Sequence, residues 1–505
     1  MLGGERMNLE YMMNSYKTED LLNAILLMSA DRDEALSDCR IPASEWLASN
    51  VIRKNNTEAN PFSAKSYEEL KQTATLVFAP AIDEIFKTVF ENINASDDKK
   101  QDVLKATLMK LKNMSFRGDA YQFQLMQVAE RFYKPFDEDL KNTYGFSFST
   151  CQKVVMFIYQ FYMSILHVAD NPANKISIIQ SQGFKVSKEM LYQKFGKDEI
   201  NSLLDYLSIV PGDDNLKAVS IDDFNPLYAK PFVDFGNYIY MPIPGSTISN
   251  FPKIFHYTFI AEKKFAQDVV DRYTKNRGDV VEQLAKEYFL RLFDAVHLSL
   301  KYPPSTKTFE ADITAQSDNA TIFAEAKGKL LTLPALRGNL DAIKDDVYKA
   351  IGKAYEQSVR TIEHLNNGGA FVDENDNEVN INNTAWNFPC SIMMDNFTSI
   401  PSEIYNYLQL SENQLIPYAV NIYDLDIVTR ECNSSEEFVQ YMIFRQMNIE
   451  KLSAMDELDF FGYFKKHGVN KITLDADEVW AISYTDEYDK KYYALTMKWL
   501  ADFHI

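Results

Sequence analysis

An acidic residue on one predicted strand of this sequence is followed by an acid and a lysine on the next. Asp312 lies in the run Phe309–Ile313, and Glu325 and Lys327 lie in the run Ile322–Lys327. Because the side chains of a strand alternate between its two faces, Glu325 and Lys327 share one face, whereas the opposite face is apolar. Charged groups beside a core are costly unless they are paired or bind a metal ion. The pattern therefore indicates a functional site.

These residue types suit the hydrolysis of a phosphodiester. Two carboxylates on neighbouring strands can hold a hard cation, Mg²⁺ or Mn²⁺, and leave positions open for water. Such a cation makes the bound water a better nucleophile and offsets the charge that develops on the phosphate. A lysine two residues beyond one carboxylate can orient that water or stabilise the transition state. We therefore predict Mg²⁺, or Mn²⁺ in its place, as the cofactor.

The elements that must position these residues are predicted in the order helix, strand, strand, helix. A helical pattern over Asp279–Val296 carries Glu282 near its start, and strand-like runs follow at Thr308–Thr314 and Ala320–Lys327. Apolar residues at helical spacing then predict a long helix over Leu340–Leu365, which glycine ends in a left-handed C-cap. Two further strands are predicted at Cys390–Met394 and Ile416–Ile422.

This ordered set resembles the PD-(D/E)xK nuclease superfamily, which has the restriction-endonuclease-like fold. The core of that fold runs helix, three strands, helix, strand, with an acid on the first helix, Asp at a strand end and Glu/Asp-x-Lys on the next strand. Here 12 residues separate Asp312 from Glu325, a hairpin-sized gap that fits the family. The resemblance covers roughly residues 262–425, and Phe309–Gln357 is especially similar to the nuclease-related group in bacteria.

The resemblance implies a role for each member of the set. Asp312 and Glu325 would ligate the metal together with the backbone carbonyl of Ala326. Lys327 would position the attacking water. Glu282 would support the metal directly or through water.

Three positions around this set leave alternatives open. Ala311 stands where the family signature has proline, but the superfamily often lacks that proline, so the departure does not count against the resemblance. Glu310 lies two residues before Asp312 and on the same face, so either acid can be the metal ligand. By resemblance Gln357, on the inner face of the second helix, would order the site, although a glutamine on a helix is usually solvated.

Ordinary structural roles also account for the same residues taken singly. Glu282 lies three residues after Asp279, which is the spacing of a capping pair at a helix start. Glu325 and Lys327 can form a cross-strand salt bridge, and Asp312 can be an acid at a strand end. Only the ordered set on the expected elements favours the nuclease interpretation.

Basic residues follow the acid–lysine strand, and they suggest a groove that tracks a nucleic-acid backbone. They are Lys329, Arg337, Lys344, Lys349, Lys353 and Arg360. The equally open alternative is a solvated helix face that Asp341, Asp345, Asp346 and Glu356 balance.

From the resemblance we expect a metal-dependent nuclease that acts on nucleic acid, on DNA more than RNA. The superfamily also suggests restriction, repair or anti-phage defence in a bacterium, with a homo-oligomer or a defence-system protein as further partners. One alternative is a catalytically inactive nuclease fold that serves as a binding or assembly module. Another is a purely helical interaction protein, which requires that Asp312, Glu325 and Lys327 do not converge.

Composition restricts these possibilities. The 505 residues carry a formal net charge of −20, which argues against a broad basic surface that coats nucleic acid. Residues 366–505 contribute −14 of this charge, whereas residues 262–365 are neutral. The four cysteines lie far apart in the sequence, which favours a location in the reducing cytoplasm. The uncharged segment Val154–Ala169 is shorter than the roughly 20 residues of a membrane span, so no membrane association is expected.

The expected fold class is mixed α/β, in four segments. Residues 1–205 are predicted to be a helical region, and residues 206–261 a connector with short strands at Leu216–Ile221 and Tyr238–Ile243. Residues 262–425 are the expected restriction-endonuclease-like αβββαβ core. Residues 426–505 are an acidic C-terminal α/β part, expected to pack on the core.

Overall fold

The fold is described from a computed structural model. It describes residues 2–30, 40–58, 60–91, 97–115, 120–167, 172–221, 223–302, 309–397, 400–410, 414–454, 456–473 and 479–503. The chain is mixed α/β and divides into two compact units. The first comprises Met1–Gly118, Gln122–Tyr273 and Met497–Ile505, and the second comprises Asp119–Tyr121 and Thr274–Thr496.

The first unit is mainly helical, which confirms the helical pattern predicted for residues 1–205. Its helices are α1 (Leu2–Ser15), α2 (Thr18–Ala30), α3 (Arg40–Val51), α4 (Ala64–Glu91), α5 (Asp97–Ser115), α6 (Gln122–Tyr133), α7 (Asp137–Tyr144), α8 (Phe148–Leu166), α9 (Pro172–Gln180), α10 (Lys188–Phe195), α11 (Lys197–Leu207), α12 (Pro244–Ser249) and α13 (His256–Ile260). The fully buried Tyr133 ring lies 5.4 Å from Phe148 and 5.5 Å from Phe255 between centroids. Aromatic rings bury large apolar areas, so this cluster stabilises the helical unit.

The uncharged segment Val154–Ala169 falls largely on α8, where Val154, Val155 and Ile158 are buried in the first unit. Burial of one face explains its apolar character without a bilayer. Among the helices of the described ranges, none combines the length and the apolar composition that crossing a membrane needs.

Short strands form a small sheet in the first unit. They are β1 (Val186–Ser187), β2 (Ser208–Ile209), β3 (Phe232–Asp234) and β4 (Tyr238–Tyr240), in the order β1-β4-β3-β2. The strand predicted at Tyr238–Ile243 is therefore confirmed in its first half. The strand predicted at Leu216–Ile221 is wrong, because Val219 bonds to side chains instead of a strand: its N–H donates to Asn50 Oδ1, and its carbonyl accepts from Trp46 Nε1.

A seven-stranded sheet organises the second unit, and α14 (Gln267–Phe289) precedes it. Its strands are β5 (Ala295–Tyr302), β6 (Phe309–Gln316), β7 (Ala320–Lys327), β8 (Phe371–Val372), β9 (Glu378–Val379), β10 (Trp386–Met393) and β11 (Tyr418–Asn421). The spatial order is β11-β10-β7-β6-β5-β8-β9. β5, β6 and β7 form an antiparallel meander, and β10 runs parallel to both β7 and β11.

The connection from β7 to β10 is helical, as a parallel crossover requires. It contains α15 (Leu333–Leu336), α16 (Leu340–Val347), a π-helical turn (Tyr348–Gly352) and α17 (Lys353–Asn366). The long helix predicted over Leu340–Leu365 is confirmed, with the π turn as an unpredicted interruption. Gly368 follows α17 with a φ of 74°, so the predicted left-handed glycine cap is also confirmed.

Two predictions on α14 are wrong. The helix begins at Gln267, twelve residues before the predicted start at Asp279, and it ends at Phe289. Val296, predicted as the helix end, belongs to β5, where buried Val296, Leu300 and Tyr302 alternate with less buried polar residues. Because Asp279 and Glu282 lie inside the helix, the capping-pair interpretation of Glu282 is wrong as well.

The acidic C-terminal segment continues the second unit as far as Thr496. After β11 come α18 (Ile422–Glu431), α19 (Ser435–Asn448), β12 (Leu452–Ser453), α20 (Glu457–His467), β13 (Trp480–Ala481) and α21 (Asp486–Asp502). Asp426 of α18 forms ion pairs with Arg291, at 2.7 Å, and with Arg430, at 2.9 Å. Arg291 follows α14, so the acidic segment is bonded to the start of the sheet region.

Candidate active site

The antiparallel pairing of β6 with β7 stops where the predicted site begins. The last paired residues are Ile313 and Ala324. Beyond them, the backbone N–H of Ala326 donates to Asp312 Oδ2 at 3.0 Å. On its other side, β7 stays paired with β10 as far as Lys327 and Met393. The end of β7 is therefore held by a strand on one side and by an aspartate side chain on the other.

Asp312 also marks a distortion between β5 and β6. The pairs Leu298–Ile313 and Leu300–Ala311 flank it, and this register places Ser299 opposite Asp312. Ser299 has a φ of 53°, which is uncommon for a residue other than glycine. Left-handed backbone of this kind carries strain and concentrates at functional sites.

Three predicted residues converge at this strand end. Lys327 Nζ lies 3.2 Å from Glu325 Oε2 and 3.4 Å from Asp312 Oδ2. Glu325 is 1% exposed, whereas the side chains of Asp312 and Lys327 are about one-fifth exposed. One ammonium group is thus shared by two carboxylates. The alternative of a purely helical interaction protein is wrong, because it required that Asp312, Glu325 and Lys327 do not converge.

The charges of this cluster perturb one another. Burial raises the pKa of Glu325 well above its usual range, and the negative charge of Asp312 adds to this, while Lys327 opposes it. Burial lowers the pKa of Lys327, but the charges of Asp312 and Glu325 outweigh burial and raise it overall. Lys327 is therefore a fixed positive charge at neutral pH.

Glu282 lies on α14 within electrostatic reach of the cluster. Burial raises the pKa of its carboxyl to about 7, and the charges of Asp312, Asp279 and Glu310 contribute, while Lys327 opposes them. Among the described residues, no hydrogen bond or ion pair joins Glu282 to Asp312, Glu325 or Lys327. The structure places Glu282 near the site without direct contact.

Glu310 and Asp312, the two acids between which the sequence does not decide, differ in their contacts. Asp312 bonds to Ala326 and Lys327, whereas Glu310 is exposed and lies opposite Lys301 of β5. Asp312 is accordingly the member of the cluster.

Gln357 is half-buried on α17, the helix that lies against β7 and β10. Ser358, its neighbour, donates to the carbonyl of Cys390 at 3.4 Å, and Thr361 Oγ1 lies 3.0 Å from Tyr302 Oη. Within the described ranges, no hydrogen bond links the Gln357 amide to the acid–lysine cluster. Its predicted ordering role stays a prediction.

Of the residues predicted to contact nucleic acid, one is paired with a buried acid and four are exposed. Lys329 pairs with buried Asp346 at 2.9 Å, so it is held by the fold. Lys349 is exposed and pairs with exposed Asp345 at 2.7 Å, and Lys353 lies 5.9 Å from the centroid of the Tyr348 ring. The side chains of Arg337 and Lys344 are also exposed.

The donor set fits a hard divalent cation. Asp312 and Glu325 supply carboxylate oxygens, and Ala326 lies between Glu325 and Lys327 with its backbone carbonyl as a further oxygen. Mg²⁺ is commonly held by one or two carboxylates and completed by water and substrate phosphate. In the part of the chain that the structure describes, no three His, Cys, Asp or Glu side chains form a metal-binding group, so the protein side chains offer two carboxylates here.

Sequence reasoning missed two buried acids beside this strand end, Asp346 and Asp395. The sequence offers Asp346 only as an acid that balances the lysines on a solvated helix face, which is one of the two open interpretations of that helix. The available signal was its spacing, because Asp346 lies three residues after Ile343 and four before Ala350, which are both buried. A charge within an apolar stripe indicates a buried bond.

Compared with known proteins, the chain matches no family model, no curated protein and no solved structure.

Proposed function

We propose that this protein is a metal-dependent nuclease that hydrolyses phosphodiester bonds, on a restriction-endonuclease-like core. The observation that carries the proposal is the convergence of Asp312, Glu325 and Lys327 within hydrogen-bonding distance at the separated ends of β6 and β7. The elements α14, β5, β6, β7, α17 and β10 follow one another in this order, with α15, α16, β8 and β9 inserted among them, and β10 is parallel to β7, which supports the proposal. This is the order of the core that the family resemblance implies.

Each residue of the cluster has a task in such a reaction. Asp312 and Glu325 would hold the cation, which supplies Lewis acidity and lowers the pKa of a bound water. Lys327, fixed between the two carboxylates, would hold the attacking water against the phosphorus. The water gives up a proton to solvent as its oxygen forms the new bond to phosphorus, the bond to the leaving sugar oxygen breaks, and that oxygen takes up a proton from solvent.

DNA is the preferred substrate in this proposal, and bacterial anti-phage defence, restriction or repair is the proposed setting. Both rest on the resemblance alone. The neutral charge of residues 262–365, against −14 in residues 366–505, supports a local contact with nucleic acid that salt weakens strongly.

The deciding experiment incubates the purified chain with single- and double-stranded DNA and RNA, with Mg²⁺, with Mn²⁺ or with EDTA. We expect cleavage that requires the cation and is lost in Asp312→Ala. The nuclease function would be rejected if neither cation gave cleavage of any of the four substrates and if cells carrying the Asp312→Ala chain did not differ from cells carrying the wild-type chain.

A second candidate is an inactive nuclease fold that serves as a binding or assembly module. Lys329 and Lys349, two of the side chains predicted to contact phosphate, are paired with acids of the same chain, and this favours the second candidate. Under this candidate Mn²⁺ binding and cleavage are both absent, and salt has little effect on partner binding.

A further inference from the structure

The loop that follows β7 is held by side chains from three different elements. This β7–α15 loop (Gly328–Thr332) begins directly after Lys327. Arg277 of α14 donates to the carbonyl of Gly328 at 3.2 Å. Asp395, which follows β10, accepts from the N–H of Leu331 at 3.0 Å. Each of these bonds ties the loop to a part of the chain distant in sequence.

Asp346 of α16 makes the densest set of bonds to this loop. One carboxylate oxygen accepts from the N–H of Thr332 at 2.7 Å and from its hydroxyl at 2.8 Å. The other oxygen pairs with Lys329 Nζ at 2.9 Å. Asp346 is 1% exposed, so the two bonds from Thr332 form in a water-poor environment, where charge-assisted hydrogen bonds are strong, whereas the contact with Lys329 is an ion pair without hydrogen-bond geometry.

The loop matters for chemistry because the strand before it lacks a neighbour on one side. β7 loses its pairing with β6 after Ala324, and only β10 continues beside it to Lys327. Pairing with β10 and the bond from Ala326 to Asp312 hold the end of β7, and the position of the Lys327 ammonium depends in addition on what fixes the next residues of the chain. The β7–α15 loop is the segment that does so.

We propose that Asp346 is a positioning residue, which sets the place of Lys327 in the reaction by anchoring the β7–α15 loop through Lys329 and Thr332. This inference rests on the proposed nuclease function and assigns a task within it. Lys329 is accordingly part of the anchor and does not contact phosphate. Asp346 does not touch substrate or metal, and acts through the backbone that carries Lys327.

Asp346→Asn tests the proposal, and Asp345→Asn is the matched control. Both changes remove one negative charge from the same helix, but Asp345 pairs with Lys349 at the surface. We expect Asp346→Asn to lower kcat for DNA cleavage about tenfold to a hundredfold, since small misplacements of a reacting group have effects of this size. KM for DNA and the Mn²⁺ dissociation constant stay within about twofold, because no ligand has changed. Asp345→Asn leaves all three unchanged.

Two milder variants keep the proposal testable if Asp346→Asn does not fold. Lys329→Met and Thr332→Val each remove one partner of the carboxylate, and each should lower kcat several-fold at unchanged KM. In the double variant Lys329→Met/Asp346→Asn, the loss should not exceed that of Asp346→Asn alone, because the two residues act through one bond. A rise in KM for DNA in Lys329→Met, with kcat unchanged, would assign Lys329 to phosphate and overturn the proposal.

The outcomes separate this inference from the function on which it rests. If the wild-type chain cleaves DNA, and Asp346→Asn matches Asp345→Asn in kcat per folded molecule, the positioning role is overturned and the nuclease stands. If the wild-type chain neither cleaves nucleic acid nor binds Mn²⁺, the nuclease itself is rejected, and the positioning role with it.

Discussion

Lys327 Nζ lies 3.2 Å from Glu325 Oε2, a buried carboxylate two residues earlier on the same strand. The pleat of β7 places both side chains on one face, and Asp312 of β6 supplies the second carboxylate to the same ammonium. The arrangement places one ammonium group and two carboxylates together beside an apolar core. Its consequences for activity, metal binding and stability can be measured.

Lys327→Ala should abolish most cleavage while leaving metal binding. Removing the only cation of the described cluster takes away the group that orients the water, and losses of about 10²–10³-fold in kcat are typical for one such group. Mn²⁺ affinity should stay the same or rise, because a positive charge between the ligands is lost. The control is Lys217→Ala, because Lys217 is exposed and lies in the first unit, away from the cluster along the chain. Equal kcat in the two variants would contradict a role for Lys327.

Asp312→Asn should remove Mn²⁺ binding without unfolding the strand end. An asparagine oxygen can still accept from the N–H of Ala326, so the bond that replaces strand pairing survives, but one ligand charge is lost. Glu310→Gln is the control, since Glu310 is exposed two residues earlier on β6. Titration with Mn²⁺ followed by electron paramagnetic resonance measures both. Loss of binding in Glu310→Gln instead would assign the ligand to Glu310.

Asp20 should make the stability of the chain depend on pH. Burial of Asp20 on α2 raises the pKa of its carboxyl from 3.8 to about 6, Glu19 adds to this, and Lys17 opposes it. Between these two values the folded chain holds a proton that the unfolded chain has released. Stability from this group is therefore full at low pH and falls as pH rises to about 6.

Asp20→Asn should accordingly reduce the fall in Tm between about pH 4.5 and about pH 7.5. The exposed Asp214→Asn is the control, and its Tm profile should match the wild type. An unchanged fall in Asp20→Asn would show that the carboxyl titrates alike in both states. Thermal unfolding followed by circular dichroism at several pH values measures the difference.

Arg445→Met should destabilise the chain strongly. Arg445 forms a buried ion pair with Glu457, and its guanidinium also donates to the carbonyl of Pro401 at 3.2 Å. The Glu457 carboxylate accepts a further hydrogen bond from the Tyr441 hydroxyl. Removing one partner of a buried pair leaves a charge without compensation and costs about 3–5 kcal/mol. Lys349→Ala, which breaks an exposed pair, should change the free energy of unfolding little, because solvent screens that pair. Urea unfolding compares the two, and similar midpoints would contradict the expectation.

The chemistry of the site could be predicted from sequence better than its supports. Strand alternation places Glu325 and Lys327 on one face, and the 12-residue gap brings Asp312 to the adjacent strand, because both follow from the period of a strand and the length of a hairpin. β5 was missed, since the helical pattern was extended through Val296 across the end of α14. Periodicity gives no sharp signal for that end.

The supports of the site could not be predicted, because they depend on bonds between residues that are separated along the chain and meet only in the folded protein. The charge of Asp346 is compatible with a solvated helix face, yet inside the fold Thr332 donates to its carboxylate and Lys329 forms an ion pair with it. The bond from Ala326 to Asp312 replaces strand pairing, and propensity contains no information about such a replacement.

The π turn at Tyr348–Gly352 fixes the rotational phase between two helices that face different partners. α16 directs Asp346 to the β7–α15 loop, and α17 directs Ser358 to β10. A π turn holds one residue more than an α turn, so deleting one residue of it, such as exposed Lys349, would let it close as α-helix with the two helices in nearly the same phase. Asp346 and Ser358 would then both still face inward. One residue inserted between the turn and Ser358 would instead rotate Ser358 by about 100° and turn it away from β10.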